Sequence, residues 1–199
     1  MRQDHFSTLA SALWPAAQAN ATRTARLMML AFGGTVALTV SAKVQVPFYP
    51  VPLTLQTLVV LVLGAAYGSR LASATIALYL LEGALGLPVF AGTPEKGVGL
   101  AYMMGPTGGF LVGFLIAAAF VGLCAERGLD RSIPKLLAVM TIGHALIFAC
   151  GLGWLAMMIG WPTAYYAGAE PFLLATLLKT LLAGVLLPGL WMIVPGKQD

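Results

Sequence analysis

Four ionisable side chains, Lys43, Glu82, His144 and Lys179, stand in or beside long apolar stretches of this 199-residue chain. An ionisable group inside a bilayer costs at least about 2.5–3.5 kcal/mol on insertion scales, so each calls for a partner or a purpose. Lys43 sits near the end of its stretch and can snorkel to the interface. Glu82 can neutralise Lys43 or Lys179. His144 follows Gly143 on a small-residue face and suits a packed, hydrogen-bonded neutral imidazole. Lys179 is harder to explain away. At 1.5 Å per residue it lies about 12 Å below the outer end of the last apolar run, and Glu82 about 8 Å below the end of its own. Thr176 and Thr180 share the helical face of Lys179. Its simplest chemistry is that of a cation holding an anionic group of a ligand.

Catalytic patterns are missing from the sequence. Pro195-Gly196-Lys197-Gln198 has neither the spacing nor the hydroxyl of a phosphate-binding loop, so ATP-driven work needs another subunit. The sequence holds no HExxH metal site, no paired Asp/Glu cluster and no serine in a glycine-framed loop to partner His144. Lone charges on different helices do not build a channel filter. Cys124 and Cys150 lie in apolar runs without a CxxC partner and read as structural thiols. The expectation is a protein that captures a solute, with no cofactor and no reaction of its own.

The elements that must position these groups are membrane helices. Hydrophobic residues make up 59% of the chain and charged residues 9%, and mean hydropathy is +0.89. A soluble domain carries about 25% charged residues. The apolar blocks run to roughly 17–22 residues, enough to cross a hydrocarbon core of about 30 Å. Six spans are expected, near Thr24–Val44, Leu53–Tyr67, Arg70–Leu87, Thr107–Ala125, Lys135–Ile159 and Pro171–Val194. They form an all-α integral membrane domain over 23–195, after an amino-terminal segment over 1–22 and before a short tail over 196–199. Phe6, Leu9, Leu13 and Trp14 recur at helical spacing in the first segment and suit a short interfacial helix. Arg23, Arg26 and the run Leu27–Val40 before Val40-Ser41-Ala42 mimic a signal peptide, but the leader is long and the apolar stretch continues as a full span.

Charge sets the orientation. Arg2, Arg23, Arg26, Arg70, Arg127, Arg131, Lys135 and Lys197 gather on one side, and the opposite loops hold only Lys96. By the positive-inside rule both termini are cytoplasmic. The net charge of +4 is spread over helix ends, which does not suggest nucleic-acid binding. The outward connections are then Pro47–Pro52, Pro88–Pro106 and Gly160–Glu170. Three prolines stiffen the first of them, which suits a lid or a tight connector. Thr54, Gln56 and Thr57 open the second span, and Thr107 opens the fourth after Tyr102 and the Gly105-Pro106 turn. Gly108, Gly109 and Gly113 leave room there for a ligand or another helix. Phe48, Tyr49, Phe90, Tyr102 and Phe110 can supply apolar walls. In the first span Gly33, Ala37 and Ser41, widened by Ala31 and Gly34, form a small-residue face suited to packing inside this bundle or against a separate membrane subunit.

Three stretches carry a family likeness. Val46-Pro47-Phe48-Tyr49-Pro50-Val51-Pro52-Leu53-Thr54-Leu55-Gln56-Thr57-Leu58 resembles the first outer loop of BioY proteins. Gly83-Ala84-Leu85-Gly86-Leu87-Pro88-Val89-Phe90-Ala91-Gly92 and Gly105-Pro106-Thr107-Gly108-Gly109-Phe110-Leu111 are similar to further parts of that family. These are the biotin-specific substrate-capture (S) components of energy-coupling factor transporters, and the resemblance covers about Ala25 to Leu187. It implies a six-helix S-component bundle with an extracellular biotin site under the first outer loop. It also implies partnership, through the face carrying Gly33 and Ala37, with a transmembrane coupling protein and ABC-type ATPases. Many relatives carry Asp-x-x-Lys in the last helix. Here the lysine is Lys179, but Thr176 stands at the aspartate position. A carboxylate can accept from both ureido N–H groups and a hydroxyl accepts less, so ureido recognition shifts toward Gln56 or Glu170. Phe110 replaces a frequent tyrosine.

The resulting expectation is a biotin-capture subunit of a bacterial cytoplasmic membrane, surrounded by lipid. Its binding residues would be Lys179, Thr176, Gln56, Tyr102, Thr107, Phe110 and Tyr49. The alternative is a self-sufficient secondary transporter of a small carboxylate, with Glu82 or His144 as a proton relay.

Overall fold

Apolar runs of this length can satisfy their backbone in lipid only as helices, and the structure, a computed structural model describing residues 8–14, 20–47 and 49–193, is built of them. The helices are α1 (Leu9–Leu13), α2 (Asn20–Lys43), α3 (Gln56–Ala84), α4 (Gly99–Met103), α5 (Gly108–Glu126), α6 (Ile133–Ile159), α7 (Trp161–Gly168) and α8 (Leu173–Ile193). Between α2 and α3 a small antiparallel ribbon pairs β1 (Gln45–Val46) with β2 (Leu53–Thr54). Phe6, Phe48, Arg2, Lys197 and the 196–199 tail lie outside the described residues.

Among the described residues five stretches are long and apolar enough to cross a bilayer, counting Gln56–Ala84 as a single one and Trp161–Trp191, which joins α7 to α8, as another. The second and third expected spans are the two halves of α3, on either side of Gly68. That element is not straight. Gly68 has φ 78° and ψ 172°, a conformation open essentially to glycine alone. Gln56 and Tyr79 hydrogen-bond at 2.8 Å although 23 positions separate them, and a straight helix would hold them about 34 Å apart. The two arms of α3 therefore run back along each other from Gly68. Glu126 at the end of α5 secures the reversal. Its Oε1 accepts from the Ser69 amide at 2.7 Å and the Ser69 hydroxyl at 2.8 Å, placing a carboxylate at the start of the second arm.

α5 is the central helix. It packs on α3 and α6, while α2 covers α3 and α8 rests on α6 and α3. Leu61, Ile76, Ala117, Val121, Met140 and Ile147 are fully buried at their junctions. Phe32, Val36 and Val40 on α2, and Leu177, Leu181 and Val185 on α8, point outward as lipid-facing residues do. The small residues of α2 divide between two faces. A Cβ on Gly34 would lie 2.5 Å from the Thr75 methyl, and Ser41 is buried, so this part packs inside the bundle. Gly33 has nothing within 4 Å and Ala37 is exposed.

At the end away from the ribbon, α1 is docked rather than lying free along an interface. Leu9 enters the core, and Arg26 donates to the Ala10 carbonyl while lying over the Trp14 ring. On the same side Trp191 Nε1 donates to Asp130 at 2.7 Å, and Arg131 covers the Trp191 ring at 4.9 Å. This latch ties the end of α8 to the turn between α5 and α6. The free thiols Cys124 and Cys150 are buried and half-buried, respectively.

Candidate functional site

At the ribbon end, α3, α5, α6 and α8 surround a cavity over which the ribbon folds. The Gln45↔Thr54 and Val46↔Leu53 pairing turns the connecting segment back over the helices, so Val51 and Pro52 cover the cavity. Val51 is buried, whereas Tyr49 at the tip is 89% exposed. Its prolines thus hold a roof together, and Tyr49 looks away from the space beneath it.

Lys179 reaches this cavity from α8. Its Nζ donates to the Thr54 carbonyl at 2.6 Å and to the Thr57 hydroxyl at 3.0 Å. An ammonium has three protons, so a third remains for a ligand. Thr54 ties two polar groups together: its hydroxyl meets Gln56 Oε1 at 3.3 Å while its carbonyl takes Lys179. The Gln56 amide Nε2 donates to Tyr79 Oη at 2.8 Å, and Tyr79 donates onward to the Val89 carbonyl at 2.9 Å.

The opposite wall is aromatic. Thr107, Phe110, Leu111 and Phe114 follow i, i+3, i+4, i+7 spacing, and all four line the cavity. Phe110 meets Phe148 edge-on at 6.2 Å, and Phe148 meets Phe172 at 6.3 Å. Tyr102 closes the side from α4, lines the cavity together with Thr107 and stacks on Phe90 at 5.0 Å. Burial pushes the Tyr102 phenol up from its ordinary value, so at neutral pH it keeps its proton and remains a donor. The chemistry available is binding: one ammonium and a few oriented hydrogen-bonding groups within an apolar shell.

The expected residues divide clearly. Lys179, Gln56, Tyr102, Thr107 and Phe110 line the cavity together. Tyr49 does not, nor does Thr176, whose carbonyl accepts from Thr180 at 2.9 Å. Glu170 is exposed outside it. The space beside Gly108, Gly109 and Gly113 is filled by neighbouring chain. A Cβ on Gly109 would lie 2.5 Å from the Cys150 carbonyl, and one on Gly113 2.9 Å from the Ile147 Cα. Phe114, Ile147, Phe148 and Phe172 were not singled out in the sequence. Phe114 and Phe172 had a legible signal, standing four residues after Phe110 and seven before Lys179.

The other ionisable groups lie outside the cavity wall. His144 Nδ1 lies 3.1 Å from both the Met140 carbonyl and the Thr180 hydroxyl, the packed role expected for it. Glu82 forms no ion pair among the described residues; it faces a lateral groove shared with Thr35 and Thr39 of α2. It neutralises neither lysine. Lys43 is exposed at the end of α2. Its Nζ turns to the Phe90 carbonyl at 2.9 Å and to the carbonyl and hydroxyl of Thr93 at 3.2 and 3.1 Å. Lys43→Met removes all three bonds from the segment that carries Phe90. Amide exchange over residues 89–93, followed by mass spectrometry, is expected to rise about tenfold while α5 and α6 stay unchanged.

Comparison with known proteins finds relatives along most of the chain. Residues 13–196 match the model of the BioY family. The probable biotin transporter BioY of Pyrococcus horikoshii is 38% identical over 152 residues, covering 76% of this chain and 88% of its own length. The biotin transporter BioY of Thermotoga maritima is 35% identical over 153 residues, with 76% and 88% covered. Among solved structures, the S-component for biotin from an ECF-type ABC transporter matches with a TM-score of 0.74. It covers 88% of this chain and 95% of that one at 22% identity, a likeness of fold.

Proposed function

We propose that this chain, which belongs to the BioY family, is the biotin-binding capture component of a vitamin uptake transporter. The observation that carries the reading is Lys179, held by Thr54 and Thr57 at the edge of an aromatic cavity under a proline-stiffened roof. Biotin is apolar along its valeryl chain and thioether ring and polar at two ends, which suits a few fixed polar groups in a greasy shell. Burial strengthens those few contacts by excluding competing water.

In this reading α2, the two arms of α3, α5, α6 and α8 make six crossings, with both termini cytoplasmic and the ribbon outside. The clustering of arginine and lysine supports that orientation, and the membrane is the bacterial cytoplasmic one. The transmembrane coupling protein docks on the outward face of α2 at Gly33 and Ala37, and ABC-type ATPases drive the cycle. The open space at Gly33 supports this surface. Glu82 and His144 stand outside the cavity wall, which leaves the proton-relay alternative without a group at the site.

Titration of biotin into the purified single chain is the direct test. Saturable binding that other vitamins do not displace is expected, and its absence ends the substrate assignment. Uptake into vesicles is expected to require the coupling module and ATP. Uptake that persists without ATPases and collapses with the proton gradient would establish the secondary-transport alternative instead.

A further inference from the structure

Tyr79 is completely buried and is not part of the cavity wall, yet it stands at the centre of a hydrogen-bond chain that ends there. Its oxygen lies 2.8 Å from Gln56 Nε2 and 2.9 Å from the Val89 carbonyl oxygen. A phenol has one proton. The Val89 carbonyl can only accept, so the proton goes there, and Tyr79 offers Gln56 a lone pair. Only the NH2 side of a carboxamide can meet a lone pair. Turned the other way, Gln56 would set two acceptors against each other in a buried setting. The Thr54 hydroxyl beside Oε1 agrees with the orientation found.

We propose that Tyr79 is a positioning residue for ligand recognition: it fixes the Gln56 carboxamide so that Oε1 serves as the acceptor for a ligand N–H. This rests on the biotin-capture reading and deepens it, because it names the ureido N–H as the group read at Gln56. It also supplies an acceptor on the cavity wall, where Thr176 does not stand. Tyr79 is itself held firmly. Its ring meets Phe90 edge-on at 5.4 Å, and a Cβ on Gly83 would lie 2.0 Å from that phenyl ring, so the pair fills its space completely. The Phe90 carbonyl is in turn fixed by Lys43.

The test is a double-mutant cycle on the full chain with biotin as the probe. Tyr79→Phe keeps the ring and removes only the hydroxyl. Tyr79→Phe and Gln56→Ala are each expected to weaken biotin binding roughly tenfold, the scale of one well-placed hydrogen bond. The double variant is expected to bind no more weakly than Gln56→Ala alone, because Tyr79 acts through Gln56. Losses that multiply would make Tyr79 a packing residue and overturn the proposal, as would wild-type affinity in Tyr79→Phe. Gln56→Asn provides a second route should Tyr79→Phe not fold. It keeps the amide but is one methylene too short to reach both Tyr79 and the cavity. A loss like that of Gln56→Ala is expected; undiminished affinity overturns the proposal. If the wild-type chain itself does not bind biotin, the capture reading falls. If the wild type binds and only the cycle fails, that reading stands and the role of Tyr79 falls alone.

Discussion

Lys179→Ala is expected to weaken biotin binding by about a hundredfold or more, the largest single effect of any cavity residue. Removing the ammonium deletes a charge-assisted contact to the ligand, and such bonds are roughly twice as strong as neutral ones. The Thr54 carbonyl and the Thr57 hydroxyl also lose their donor. Thr54 belongs to β2 and borders the cavity under the roof, so the variant loosens the ribbon as well as the contact. Two effects on one site make the change exceed about 2.7 kcal/mol, the free energy of a hundredfold loss. Lys179→Arg is not expected to rescue it. A planar fork cannot take the place of a compact ammonium directed at one carbonyl and one hydroxyl. Titration calorimetry on the purified variants measures this, with biotin methyl ester as a second ligand. Lys179 and Gln56 share Thr54, so they should meet the same end of the ligand. An equal loss for the acid and the ester is therefore expected, whereas a loss confined to the acid would move Lys179 to the carboxylate end.

Gly122→Val is expected to abolish the folded protein rather than its binding. A Cβ at position 122 would stand 2.3 Å from the Ser69 amide nitrogen, 2.5 Å from the Ser69 Cα and 2.6 Å from the Gly68 carbonyl carbon. These are backbone atoms of the point where α3 reverses, so no side-chain rotation relieves the contact. Gly68 cannot yield either, since its own backbone conformation excludes other residues and a Cβ there would meet Thr8 and Glu126 at 2.8 Å. The substitution must push α5 away from the reversal and break the Glu126 bonds to Ser69. Overpacking of this kind costs about 1–3 kcal/mol where a core can adjust, and more is expected where the clash is with backbone. Yield of monodisperse protein and the thermal midpoint in detergent are the readouts. A wild-type midpoint would show that the two helices can separate freely there.

Much of the frame was legible in the chain itself. The apolar runs around α2, α5, α6 and α8, and the ends of α3, follow from the simple fact that lipid offers the backbone no partner. Lys179 stood out because its depth left no bland explanation, and the cavity formed around it. The face Thr107, Phe110, Leu111, Phe114 is written in helical spacing, although its last member went unread. Two spans were expected on either side of Gly68, and the structure has two helical arms there that run back along each other from that glycine. What the sequence left open is which side chains the reversal brings together, such as Gln56 and Tyr79.

What the sequence by itself determined is the material: helices of bilayer length, a proline-stiffened connection before the second span and a lysine set within the last apolar run. These rest on periodicity, chain length and solvation, which are local properties. What only the tertiary structure decided is partnership. It sent Lys43 to the carbonyls of the Phe90 segment, left Glu82 in a lateral groove, turned Tyr49 outward and enlisted Tyr79 behind Gln56. A hydrogen bond is decided by which groups meet at about 3 Å, and groups 23, 47 or 125 positions apart meet only once the helices have packed.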